Sequence, residues 1–102
     1  MAELTVIWWR AIPAQVVARE GRTTARAQLT SRFQEAIDMA ATRIGLIGTD
    51  EYLNEWRRVT RECGDDLDAE ASKEAHALEQ AYGDSRLESL VRSGGTDEGE
   101  GT

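Results

Sequence analysis

Nucleophilic chemistry in this chain would have to begin at Cys63, the single cysteine, with His76, the single histidine, as its base. A thiol becomes a nucleophile when a neighbouring base or cation holds it as thiolate. His76 does not share the apolar stripe of its segment, so nothing in the spacing brings the two together. The plainer reading is a solvated helix residue and a small buried hydrophobe. Cys63, Asp65, Asp66 and His76 offer donor atoms that zinc accepts, but the chain has neither CxxC nor HxxxH, and Asp65-Asp66 is explained as a helix cap. The phosphate fingerprints GxxxxGK[ST] and GxGxxG are absent as well. No catalytic residue, metal ligand or cofactor is assigned.

Recognition chemistry is better represented. Trp8 and Trp9 are adjacent, followed by Arg10 and Pro13, and Trp56-Arg57-Arg58 repeats the pairing of indole and guanidinium. Trp and Arg dominate interface hot spots. Neighbouring residues on a strand point to opposite faces, so one of Trp8 and Trp9 fills the core while the other meets solvent, another layer or a partner. Burial of both between sheet and helices stands beside that reading. Arg19, Arg22 and Arg26 form a candidate anion patch, since guanidinium forks onto phosphate or carboxylate. The alternative is a solvated face ion-paired with Glu20.

These residues need a scaffold, and the apolar pattern supplies one. Leu4–Trp9 is β-branched and aromatic throughout and reads as a strand, Arg10–Pro13 as a connection and Gln15–Arg19 as a second strand, the two forming a hairpin. Arg22–Arg26 reads as a polar crossing in loop or a short helical turn. From Thr30 the period becomes helical: Phe33, Ala36, Ile37, Ala40, Ala41 and Ile44 make one stripe, Ser31 with Gln34 resembles a capping box, and Gly45 suits a terminator. Gly48–Glu51 is a further helix start. Tyr52, Leu53, Trp56, Val59 and Cys63 fit one helical face, yet Trp56–Cys63 also fits an extended stretch. A hairpin alone is marginal, which favours a third strand near Val59. Leu67, Ala71, Ala75, Leu78 and Tyr82 mark another helix, and Leu87, Leu90 and Val91 a short last one. The fold class is α+β: a small two- or three-stranded antiparallel sheet beginning with an N-terminal hairpin, packed by two main helices and a short C-terminal one. Residues 1–92 make a single domain, and the Gly- and acid-rich stretch 93–102 reads as a disordered tail.

A chain of 102 residues supports one core. Nine Arg face eight Asp or Glu up to Cys63, whereas three basic residues face eleven acidic ones beyond it. That balance argues against nonspecific nucleic-acid or membrane binding, both of which need a net positive face. With no signal peptide, no apolar run of membrane-spanning length and one cysteine, the expected location is the cytoplasm.

The run from Leu4 to Val16, followed by Arg32-Phe33, Ala36-Ile37-Asp38, Gly48-Thr49-Asp50, Tyr52-Leu53 and Trp56-Arg57, resembles a small bacterial family labelled conserved virulence factor, over about residues 3–92. The resemblance implies no established reaction and carries no catalytic residues over. It implies an accessory protein of the kind that accompanies one-carbon and corrinoid methyl-transfer enzymes. The functional expectation is therefore a non-enzymatic domain docking a larger cytoplasmic protein through Trp8, Trp9, Arg10, Pro13, Trp56, Arg57 and Arg58. Two alternatives are kept: binding of an anionic cofactor such as a folate between the tryptophans and Arg19–Arg26, and homodimerisation through an exposed strand edge.

Overall fold

Residues 2–96 are described by the computed structural model, and the first element is the strand that the β-branched N-terminus predicts, β1 at Glu3–Trp9. A two-residue turn, Arg10-Ala11, leads into β2 at Ile12–Glu20, and β3 follows at Thr23–Gln28. After α1 (Ser31–Arg43) and the short α2 (Asp50–Asn54) comes β4 at Trp56–Glu62, then α3 (Leu67–Ala81) and α4 (Asp84–Arg92). The sheet is antiparallel throughout, in the order β3-β2-β1-β4. The α+β class and the strand near Val59 are as the sequence implies. The sheet has one strand more, because Thr23–Gln28 is β3 and not a loop or helical turn. Its alternation is Ala25 and Ala27 half-buried against Thr24, Arg26 and Gln28 exposed, and alanine gives only a faint β signal.

Pro13 also differs from expectation: it lies inside β2 and is fully buried. The register slips between Ile7 and Trp8, which pair with Gln15 and Pro13, so Ala14 is the extra residue of a bulge. A proline without a ladder donor is tolerated in a sheet at such a bulge.

The helices pack on one side of the sheet, α3 across β2 and β3, α1 against β2, and α4 against α1. Strand alternation sends Leu4, Val6, Val16 and Ala18 towards that layer, where Phe33, Ala36, Ile37, Ala40, Leu67, Ala71 and Leu78 are buried with them. Each large apolar side chain so enclosed contributes about 1.5–3 kcal/mol. Ile44, the last residue of the α1 stripe, remains 39% exposed.

Helix ends explain two further departures. No capping box forms at Ser31: the cap is Thr30, whose side chain makes no capping bond, while Gln34 donates to Asp38 instead. The Glu79 carboxylate of α3 accepts the Thr30 backbone N–H at 2.6 Å in its place. At the C-terminus of α4, Gly94 (φ +74°) and Gly95 (φ +92°) form a Schellman cap, Gly95 N–H donating to Leu90 O and Gly94 N–H to Val91 O. Both glycines are buried. The remainder of the expected tail, 97–102, lies outside the described residues.

Candidate functional site

Opposite the helices the sheet presents a face that no long helix covers. Register places its side chains in rows across the strands: Thr24, Arg19, Glu3 and Glu62; then Arg26, Val17, Thr5 and Thr60; then Gln28, Gln15, Ile7 and Arg58. All of these residues except Glu62, Gln15 and Gln28 line a cleft of about 250 Å³. Ile7 and Val17 form an apolar floor, and the Thr5 and Thr60 hydroxyls hydrogen-bond to each other at 2.8 Å. Arg19, Arg26 and Arg58 stand around it, with Glu3 the one carboxylate among the lining residues. The ion pairs among the described residues engage Arg10, Arg32 and Arg61 and none of these three. Guanidinium groups without acid partners beside hydroxyl donors are suited to carboxylate or phosphate.

Of the expected anion patch, then, Arg19 and Arg26 lie in the cleft, whereas Arg22 sits in the turn between β2 and β3 and does not line it. Arg58, expected to accompany Trp56, joins them because β4 pairs with β1. Thr5, Ile7, Val17, Thr24 and Thr60 were not anticipated. Extended segments holding Thr5, Ile7, Val17 and Thr60 were legible, but the strand holding Thr24 and the pairing that assembles all five were not.

The tryptophans disperse. By alternation Trp9 belongs to the open face, yet it is 0% exposed, because α2 and the cap of α4 close over that end of the sheet. Its Nε1 donates to Tyr52 O at 3.0 Å, the Tyr52 ring lies 5.7 Å away, and Gly95 is tight against the indole. Trp56 is half-buried, edge-on to Tyr52 at 6.2 Å. Trp8 points to the helix side, edge-on to Tyr82 at 6.2 Å, with the Arg57 guanidinium over its ring at 5.3 Å. Its Nε1 is buried and has no hydrogen-bond partner among the described residues.

Arg10 is occupied structurally. Its φ of +53° is the left-handed region that a non-glycine residue adopts at a cost, and the conformation is held by Nε to Glu55 at 2.7 Å and Nη1 to Gly94 O at 3.1 Å. Trp9, Arg10 and Pro13 therefore belong to the interior and its closure. Trp8, Trp56 and Arg57 remain at the surface margin.

Around Cys63, burial pushes the thiol above its ordinary value, Glu70 adds to the rise and Arg61 opposes it. A thiol held protonated is a poor nucleophile. His76 is exposed on α3. Among the described residues no three His, Cys, Asp or Glu come together as a metal site, and no helix is long and apolar enough to cross a membrane.

Residues 7–91 match the family model described as Virulence factor. No curated protein and no solved structure matches the chain.

Proposed function

The chain belongs to the virulence factor family, and from that premise we propose that it is a non-catalytic cytoplasmic binding domain whose open sheet face takes an anionic group. One observation carries the reading: Arg19, Arg26 and Arg58, from three different strands, line one cleft and have no ion pair among the described residues. A solvated surface of equal charge would be expected to intersperse acids with its arginines, whereas Glu3 alone does so in this cleft.

The test is a thermal melt with citrate and pyrophosphate against sodium chloride of matched ionic strength, since a ligand of the folded state raises stability by mass action. Both anions should raise the midpoint of the wild type and leave the triple variant Arg19→Gln, Arg26→Gln, Arg58→Gln unmoved. Equal midpoints in chloride and in the polyvalent anions would remove the proposal.

A second reading, docking of a larger protein such as the methyl-transfer enzyme that the resemblance implies, is favoured by Trp8. Its buried, unpartnered Nε1 beside the exposed Arg57 leaves a donor for an acceptor from outside. Pull-down from native lysate with Trp8→Phe and Arg57→Ala as controls separates it from anion binding, because neither residue lines the cleft. Homodimerisation through β4 gains least support: Arg57, Arg58 and Arg61 line that edge, and like charges discourage a second copy.

A further inference from the structure

Resting on the anion-binding reading, we propose that the cleft selects a small organic dianion, with acidic groups at both ends of a neutral middle, over any monoanion. The layout of the face argues for two separate anion positions. Arg26 is on β3 and Arg58 on β4, the two outer strands, so their Cα atoms are separated by three strand spacings, about 14 Å, and by two residues along the strand, about 7 Å. Between them lie the inner-strand residues Val17, Thr5 and Ile7, which carry no charge. One carboxylate can satisfy one end of this arrangement and leaves the opposite guanidinium unmet.

The two ends differ. Arg19 and Arg26 occupy successive rows on the adjacent strands β2 and β3 and form the doubly cationic end. Arg58 stands alone on β4, where Thr60 follows two residues on with its hydroxyl bonded to Thr5. Glu3 flanks Arg19 across β1 and itself faces Glu62, so the corner beyond Arg19 repels a third acidic group.

The cleft of about 250 Å³ lies just below the roughly 300 Å³ at which pockets for drug-sized ligands begin, which suits a smaller occupant. It has no aromatic lining on which a base could stack, which disfavours single-stranded nucleic acid as the occupant.

Calorimetric titration of the full chain with succinate, adipate and suberate, against hexanoate at matched ionic strength, tests the idea. One chain length should bind about tenfold more tightly than hexanoate, the gain of one further guanidinium contact. Arg58→Gln should abolish that advantage and leave hexanoate binding unchanged, while Arg19→Gln with Arg26→Gln should weaken every probe. Circular dichroism checks that the variants remain folded. Binding of all four probes within twofold, or an advantage that survives Arg58→Gln, overturns the two-ended site and leaves anion binding intact. No heat from any probe removes the anion-binding reading, and this inference with it.

Discussion

Glu79→Gln should loosen the join between α1 and α3 while keeping the side chain's shape. The first turn of α1 has no acidic residue, and Thr30 makes no side-chain cap, so the helix start lacks both usual sources of negative charge. Glu79 supplies it from another element, accepting the Thr30 backbone N–H at 2.6 Å, the Thr30 hydroxyl at 3.1 Å and Arg32 Nη2 at 2.9 Å. A bond to a charged group is worth about 1.5–3 kcal/mol when well shielded. Here the Glu79 and Arg32 side chains are 21% and 30% exposed, and the amide keeps one acceptor. The loss should therefore be about 1–2 kcal/mol, which lowers the melting temperature of a domain this size by about 5–15 °C.

The pH dependence is the sharper test of that origin. Burial is the largest single influence and pushes the carboxyl up, but the bonds from the Thr30 amide, Arg32 and the Thr30 hydroxyl together outweigh it and hold the group below its ordinary 4.5. A group with a lowered folded value stabilises fully above its unfolded value and stops doing so as pH falls through the folded one. Calorimetry should show the wild-type advantage over Glu79→Gln intact at neutral pH and shrinking as pH falls below the ordinary 4.5. An advantage of equal size at both ends of the range, or none at neutral pH, refutes the reasoning.

Two glycines offer a matched comparison by urea denaturation. Gly21 has φ +60° and open space, so Gly21→Ala should cost about 1 kcal/mol through backbone strain alone. At Gly95, with φ +92°, a Cβ would come within 2.8 Å of Trp9 Cζ3, and Gly95→Ala should cost about 2–4 kcal/mol; equal losses would mean that the cap does not press on the indole. Alkylation of Cys63 by iodoacetamide, followed from neutral to alkaline pH, should rise with a midpoint above the ordinary 9.0, and a midpoint at or below it would contradict the shielded thiol.

What the sequence could reveal divides along one physical line. Segments whose burial is decided locally were legible: the α1 stripe from Phe33 to Ala41, the Gly45 terminator at φ +72°, and the face of α3 through Leu67, Ala71 and Leu78. Features that arise from pairing at a distance were not. Arg58 reaches the company of Arg19 and Arg26 only through the register of β4 on β1 and of β1 on β2, which periodicity does not encode. The same holds for Gly94 and Gly95, whose composition suggests a loose tail. Their positive φ and contacts with Ile44 and Trp9 explain why residues without a Cβ stand there. That closure encloses Trp9, while Trp8 is half-buried against Tyr82 with Arg57 over its ring, so the opposition of the two indoles exposes neither freely.

The uneven charge along the chain becomes an uneven charge between faces. The acidic second half supplies α3 and α4, and α3, carrying Glu70, Glu74 and Glu79, packs on the opposite side of the sheet from the cleft arginines. A net charge of −7 would repel an approaching anion if it acted from one point. It does not, because two of the α3 acids are already paired, Glu74 with Arg61 and Glu79 with Arg32, and exposed charges farther than about 10 Å from the cleft are screened at 0.1 M salt. Salt therefore suppresses repulsion from the far layer more than attraction at contact distance. An acidic protein can in this way keep an anion-selective face, provided that the helices crowd onto the other side of the sheet, and the placement of α1 and α3 against β2 does that.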